Sequence, residues 1–88
     1  MTIEKTLIIK NKQGLHARPA ALFVQIANKF VCDVSITKGK QKVNGKSIMG
    51  IMTLAAEMGS SITVRATGAD AAEAMEALTK LIESNFGE

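Results

Sequence analysis

Residues 14–20, with the sequence GLHARPA, combine groups that can bind and accept a phosphoryl group. Pro19 favours the first turn of a helix, where its missing N–H removes no intrahelical hydrogen bond, so a helix should begin within about three residues of His16. A helix N-terminus presents free N–H groups and partial positive charge, which together hold phosphate. The same charge disfavours imidazolium, so we expect a neutral His16 ring that keeps one nitrogen free as a nucleophile.

Arg18 adds a cation to this string. Its planar guanidinium can neutralise phosphoryl oxygens through charge-assisted hydrogen bonds. Two simpler interpretations stay open at this point. A lone histidine at a helix start is more often a surface cap, and an exposed arginine is usually only a solvated charge.

Ser47 begins a second segment of interest, residues 47–58, which is rich in good helix formers. A serine here is typical of a helix N-cap, and capping is the simplest role for it. Ile48, Met49 and Met52 follow at a spacing that usually indicates core packing. Methionines also serve as adaptable contacts for several partners, so the stripe has two interpretations.

The composition narrows the classes of protein. With 88 residues, 47% hydrophobic and 22% charged, the chain should fold as a single domain over residues 1–88. The chain has one cysteine, Cys32, and one histidine, His16. A single cysteine cannot form a disulfide within the chain, and the two residues do not make a recognisable set of metal ligands or a nucleophile–base pair for hydrolysis. The sequence has no apolar run of about 20 residues and no signal-peptide pattern, so we expect a cytoplasmic protein without membrane insertion.

The charge is distributed unevenly. Residues 1–46 hold nine Lys/Arg against two acids, whereas residues 47–88 hold two against six. A basic half attracts nucleic acid or acidic protein surfaces, and charge alone does not separate them. The aromatic residues are only Phe23, Phe30 and Phe86, which disfavours a surface that stacks on bases.

Periodicity predicts seven elements in the order β-α-β-β-α-β-α. The predicted strands lie at 4–10, 32–38, 41–44 and 61–66, and the predicted helices at 17–30, at 47–58 with Gly59 at its end, and from 70 toward 86. Asp70 with Glu73 makes a capping-box pattern, and Glu76 with Lys80 makes an i, i+4 pair. Alternating strands favour antiparallel pairing, so the predicted fold is an α+β open-faced β-sandwich, a four-stranded antiparallel sheet with three helices on one face.

Two separated strings carry a resemblance to a known family. GLHARPA resembles the active-site motif of the HPr family of histidine-containing phosphocarriers, and residues 46–50, KSIMG, resemble its second signature. The resemblance covers essentially the whole chain. It implies that His16 is phosphorylated on Nδ1 by phosphorylated enzyme I and donates to enzyme IIA domains, with Arg18 and the Ala17 backbone N–H supporting the phosphoryl group. It implies a carrier that is consumed and regenerated, not an enzyme, with no metal or other cofactor.

The resemblance also implies regulation and a docking surface. Ser47 matches a serine that an HPr kinase phosphorylates in many bacteria. Around His16, the residues expected to contact partner proteins are Leu15, Ala21, Val24, Ile48, Met49 and Met52. We expect the protein to be a monomer.

Two alternatives remain beside this interpretation. A nitrogen-related regulatory phosphocarrier shares a GxHARPA string, although the intact KSIMG string favours the sugar branch. A nucleic-acid-binding α+β module is a different class, suggested by the basic first half and an exposed sheet face, and it would show a steep dependence of binding on salt.

Overall fold

A computed structural model describes all 88 residues, from Met1 to Glu88. Its strands are β1 (Thr2–Ile8), β2 (Asp33–Lys38), β3 (Gln41–Asn44) and β4 (Ser61–Thr67), and its helices are α1 (Ala17–Ala27), α2 (Ile48–Thr53) and α3 (Ala71–Glu83), with a short 3-10 turn at Asn85–Gly87. The β-α-β-β-α-β-α order and the α+β open-faced sandwich are confirmed. No helix is long and apolar enough to cross a membrane.

The four strands form one antiparallel sheet in the order β1-β4-β2-β3. Alternation along each strand sends one set of side chains toward the helices and the other to solvent. On the covered face, Leu7 is opposite Ile62 and Ile36 is opposite Val64, and all four are buried. The open face is polar and carries cross-strand threonine pairs.

The helices hold the sheet through one apolar cluster of 22 buried residues. In α1, the predicted stripe is confirmed for Ala20, Phe23 and Ala27, each of them fully buried. Burying a side chain such as Phe23 contributes about 1.5–3 kcal/mol. This packing fixes the direction of α1 and therefore the position of its N-terminus.

Two helices end earlier than the periodicity predicts. α1 ends at Ala27, not at residue 30, and α2 ends at Thr53, not at residue 58. Ala55 adopts a positive φ of 49°, which stops α2, and the Lys38 ammonium donates to the carbonyl oxygens of Leu54 and Ala55 at 3.3 and 3.2 Å. Gly59 therefore lies in the turn before β4, and its predicted place at a helix end was wrong.

The start of α3 also differs from its prediction. Asp70 occupies the N-cap position, but its side chain caps nothing within the helix, so the capping-box prediction was wrong. Its carboxylate accepts hydrogen bonds from the N–H groups of Val31 and Cys32, at 2.9 and 3.0 Å. These bonds hold the pKa of the Asp70 carboxyl below its ordinary value, chiefly through Val31.

The end of α3 turns back toward the core. The helix stops at Glu83, and the predicted continuation to Phe86 is replaced by a reversal in which Asn85 and Phe86 have positive φ. Phe86 is 3% exposed, so burial of its ring holds the reversal in place. The predicted Glu76–Lys80 pair is confirmed at 3.1 Å on the exposed side of α3.

Asp70→Asn should lower the stability of the protein at neutral pH and change it little in acid. The hydrogen bonds favour the charged carboxylate, so the folded pKa lies below the unfolded one. Their stabilisation is present above an ordinary carboxyl pKa of about 3.9 and is lost as pH falls through the folded value. Thermal unfolding across pH measures this, with Glu73→Gln as the control because the Glu73 carboxylate makes no hydrogen bond. If Asp70→Asn were less stable than the wild type by the same amount at acidic and neutral pH, these hydrogen bonds would not favour the charged Asp70 carboxylate.

Candidate functional site

His16 occupies the N-cap position of α1. Its backbone is extended, at φ −81° and ψ −169°, and the helix begins at the next residue, as Pro19 predicts. The His16 carbonyl accepts the first intrahelical bond, from the Ala20 N–H at 3.0 Å. The N–H groups of Ala17 and Arg18 have no partner within the protein. The start of α1 therefore presents two free donors beside the histidine, an arrangement suited to an anion.

The loop before His16 is held tightly by residues 56 and 57. Gly14 has a φ of +69°, and a Cβ added there would lie 2.3 Å from the Ala56 carbonyl oxygen. The Leu15 N–H donates to that same oxygen at 2.8 Å. Asn11 adds a bond from its Nδ2 to the Gly14 carbonyl, also 2.8 Å. Only glycine fits this contact, which fixes the backbone that leads into the histidine.

The two nitrogens of the His16 ring have different surroundings. The side chain is 36% exposed, but Nε2 is enclosed and has no hydrogen-bond partner. Oε2 of Glu88 lies 3.4 Å from Nε2 without forming a hydrogen bond. Nδ1 makes no hydrogen bond and keeps access to solvent. The nitrogen that an incoming group can reach is therefore Nδ1.

Arg18 and Ala17 lie on the solvent side of the first turn of α1. Both are exposed, and the Arg18 guanidinium forms no ion pair or hydrogen bond within the protein. A free guanidinium one residue beyond the free Ala17 N–H adds positive charge where the helix end is already positive. Together they can stabilise a group of two negative charges placed near Nδ1.

An open groove of about 190 Å³ connects His16 with α2. Its lining residues are Gln13, Leu15, His16, Met52, Ala55, Ala56 and Glu57. The groove brings together the two motifs that are separated in sequence, since Met52 follows KSIMG by two positions. A protein that reaches the histidine would also meet this end of α2.

Ser47 is the N-cap of α2, as predicted. Its Oγ accepts a hydrogen bond from the Gly50 N–H at 3.0 Å, and the residue is half-buried. The core position of α2 belongs to Ile51, which is fully buried. This leaves the hydroxyl at a helix start next to exposed apolar side chains.

The six residues expected at the docking surface fall into two groups. Ile48, Met49 and Met52 are 40%, 72% and 39% exposed, so they are not core residues. Leu15 and Val24 are buried, and Ala21 is half-buried, so these three offer little surface of their own. Any contact with a partner at this place rests mainly on α2.

The remaining reactive groups do not form a second site. No three His, Cys, Asp or Glu side chains lie close enough to hold a metal ion. Cys32 is buried beside Asp70, and burial raises the pKa of its thiol, with the Asp70 carboxylate adding to the effect. The thiol therefore stays protonated and a poor nucleophile.

Sequence patterns missed two residues at the site, Asn11 and Glu88. Asn11 is 2% exposed and donates from Nδ2 to Oε2 of Glu88 at 3.4 Å. No periodic pattern marks either residue, because they meet only after the reversal at Asn85 and Phe86. The one available signal is Gly87, whose positive φ ends that reversal.

Comparisons with known proteins agree with this geometry. A family model described as the PTS HPr component phosphorylation site matches residues 3–84. The chain belongs to the HPr family. Its general role is therefore that of a phosphocarrier of the phosphotransferase system.

Individual members of the family are similar over nearly the whole chain. The HPr-like protein Crh of Halalkalibacterium halodurans is 56% identical over 81 residues, which cover 92% of this chain and 96% of that protein. The phosphocarrier protein HPr of Neisseria meningitidis is 51% identical over 86 residues, covering 98% and 97%. The crystal structure of HPr-C-His from Thermoanaerobacter tengcongensis has a TM-score of 0.94 at 56% identity, covering 98% and 97%.

Gly14→Ala should destabilise the protein more than Gly39→Ala. Both glycines have positive φ, which costs a side chain about 1–2 kcal/mol, but only at Gly14 does the added Cβ meet backbone. The clash adds about 1–3 kcal/mol or displaces the loop before His16. Urea unfolding of the two variants measures the difference. Equal losses of stability in the two variants would show that the loop before His16 moves to accommodate the added Cβ without an energetic cost.

Proposed function

We propose that this protein accepts a phosphoryl group on Nδ1 of His16 from phosphorylated enzyme I and donates it to enzyme IIA domains of sugar permeases. The observation that carries the proposal is the open Nδ1 beside the free N–H groups of Ala17 and Arg18. Phosphoryl transfer needs a positioned nucleophile and stabilisation of charge on the equatorial oxygens. The start of α1 supplies both without a metal ligand.

In this mechanism the Nδ1 lone pair forms the P–N bond while the bond from phosphorus to the donor breaks. The Ala17 N–H and the Arg18 guanidinium then face the phosphoryl oxygens. Because imidazole is a good leaving group, the phosphoryl group stays transferable, and donation reverses the step toward the next acceptor. The protein is regenerated unchanged in each cycle, so it acts as a carrier and not as an enzyme in its own right.

Docking to both partners is proposed to use the exposed part of α2. Ile48, Met49 and Met52 present apolar surface on α2, and Met52 also lines the groove that leads to His16. Flexible methionine side chains suit a surface that must bind two different proteins in turn. Leu15, Ala21 and Val24 would support this surface from α1 and the preceding loop.

Regulation at Ser47 is a further part of the proposal. Its hydroxyl lies at the start of α2, directly before Ile48 and Met49, so a kinase that modified it would place a dianion within the docking surface. An HPr kinase is therefore the third proposed partner. The cap itself would tolerate the charge, because a helix N-terminus favours anions.

Two other functions have less support. The intact KSIMG string favours the sugar branch over a nitrogen-related carrier, and assays with the two kinds of enzyme I separate them. Nucleic-acid binding has little support from the open sheet face, where Lys42 and Arg65 are accompanied by Asp33 and Glu4 and no aromatic ring. A steep salt dependence of binding to nucleic acid would favour that alternative.

We propose a cytoplasmic monomer as the working form. The isolated thiol of Cys32 suits a reducing compartment. A structure named HPr dimer, from Thermoanaerobacter tengcongensis, has a TM-score of 0.80 at 56% identity and gives the alternative. Light scattering on the purified protein over a range of concentrations distinguishes the two states.

His16→Ala should abolish phosphoryl acceptance and leave the fold intact. The side chain is partly exposed at a helix start and packs in no apolar stripe, so the change in stability should stay within about 0.5 kcal/mol. Incubation with phosphoenolpyruvate, magnesium and enzyme I, followed by an acid-lability assay, measures acceptance. Acid-labile phosphate at the wild-type level in this variant would overturn the proposal.

Arg18→Ala should slow both acceptance and donation by about 10- to 100-fold, the equivalent of losing one charge-assisted interaction of about 1.5–3 kcal/mol in the transition state. Stability should change little because the guanidinium has no partner in the resting protein. Lys29→Ala removes an exposed cation just beyond the other end of α1 and is the control. Equal rates for the two variants would reduce Arg18 to a solvated charge.

Ser47→Asp should impair exchange with enzyme I while the protein keeps or gains up to about 1 kcal/mol of stability. The added charge is favourable at the helix start, but on binding it must be desolvated among Ile48, Met49 and Met52, which opposes association. Thermal unfolding and the rate of transfer from enzyme I separate the two effects, with Ser61→Asp on the open sheet face as the control. Normal transfer would leave Ser47 as a helix cap alone.

A further inference from the structure

Glu88 approaches the buried side of the His16 ring. The reversal at Asn85 and Phe86 carries the chain from α3 back to the loop before α1. Phe86 anchors it in the core, and Oε2 of Glu88 then lies 3.4 Å from Nε2 of His16. No lysine or arginine lies within ion-pair distance of this carboxylate. The carboxylate is thus available to the histidine.

Asn11 holds the same carboxylate from a second direction. Its buried amide donates from Nδ2 to the Gly14 carbonyl at 2.8 Å and to Oε2 of Glu88 at 3.4 Å. A fully buried amide has few alternative conformations, so the donor is fixed in place. The Glu88 carboxylate therefore lies between the Asn11 amide and Nε2 of His16. Both groups belong to the loop and helix start at residues 11–16.

The surroundings of Nε2 decide where the imidazole proton resides. A neutral imidazole has one N–H and one lone pair. If the lone pair were on Nε2, Nε2 and Oε2 of Glu88 would both be hydrogen-bond acceptors, and no proton would lie between them. With the proton on Nε2, a small rotation of the Glu88 side chain makes a hydrogen bond and satisfies a buried nitrogen that has no other partner.

We propose that Glu88 is a positioning residue that holds His16 in the Nε2–H tautomer, so that the lone pair is on Nδ1, the nitrogen open to solvent. This inference rests on the proposed function, since it assigns the state of the same acceptor. It adds a residue outside both sequence motifs.

The tautomer keeps the proton in place through a full cycle. When the Nδ1 lone pair forms the bond to phosphorus, the donor's bond to phosphorus breaks and its electron pair leaves with the donor. The ring becomes cationic, with its proton still on Nε2 beside the Glu88 carboxylate. When the P–N bond breaks in donation, its electron pair returns to Nδ1 and the neutral Nε2–H ring is restored. No proton has to leave or enter the ring.

The test compares Glu88→Ala and Glu88→Gln with Glu83→Gln, which removes an exposed carboxylate at the end of α3. Imidazole ¹⁵N chemical shifts, recorded in mildly alkaline solution, report the tautomer directly. The wild type and Glu83→Gln should show Nε2–H, and Glu88→Ala should shift toward a mixture of tautomers. Glu88→Gln should lie between them, because a neutral amide oxygen still accepts. Acceptance from enzyme I should fall in Glu88→Ala in proportion to the remaining Nε2–H fraction, about twofold for an equal mixture of tautomers.

The two proposals fail in different ways. Identical tautomer populations in the wild type and Glu88→Ala would overturn the role of Glu88, whatever the transfer rates. A wild-type protein that shows the Nε2–H tautomer but takes no phosphate from any enzyme I would overturn the proposed function and leave the assignment of Glu88 standing. Thermal unfolding of each variant checks that the Phe86 anchor still holds.

Discussion

Free N–H groups at the start of α1 are the feature on which the site depends. The N–H groups of Ala17 and Arg18 are free because the first residues of a helix have no intrahelical acceptor, and the His16 side chain does not cap them. Water can satisfy such exposed donors, but only packing fixes their position. Burial of Ala20 and Phe23 from one side, and the Gly14 contact with Ala56 from the other, provide that support.

The fixed N–H groups at the start of α1 also explain why the fold suits a carrier. Donors fixed by the backbone would need no rearrangement when a phosphoryl group arrives at His16, as proposed, so its charge would be stabilised by groups already in position. A carrier must also release its cargo, and in the proposed mechanism the anion would meet two N–H groups and one flexible cation at an exposed helix start instead of in a closed pocket. The proposed docking surface on α2 and the proposed chemistry at the start of α1 lie side by side, because the groove next to His16 is also lined by Met52.

Local signals in the sequence predicted most of this arrangement. Strand alternation gave the covered face of the sheet, Pro19 marked the start of α1, and Ser47 was identified as a cap because each depends on neighbours within a few residues. The errors involve partners distant in the chain. Lys38 binds the carbonyl oxygens of Leu54 and Ala55 directly after the end of α2, and Asp70 accepts hydrogen bonds from residues 31 and 32 instead of from its own helix. Periodicity carries no information about such contacts.

At the candidate site, too, local sequence signals predicted some residues, and contacts between distant parts of the chain determined the others. His16 and Arg18 were identifiable from the string that contains them, whereas Glu88 reaches the ring only through the buried reversal at Phe86. The exposure of Met49 and Met52 also needed the structure, since helical spacing alone favours the core. Residue types therefore predicted the chemistry, and tertiary contacts determined its surroundings.

The proposed mechanism requires that the accessible Nδ1 of His16 carries the phosphoryl group. The most direct measurement is incubation of ¹⁵N-labelled protein with phosphoenolpyruvate, magnesium and enzyme I, followed by mass spectrometry and by ³¹P and ¹⁵N NMR of the imidazole. We expect one added phosphoryl group, with phosphorus–nitrogen coupling at Nδ1. Phosphate on Nε2, on another residue, or absent despite an active enzyme I would contradict it.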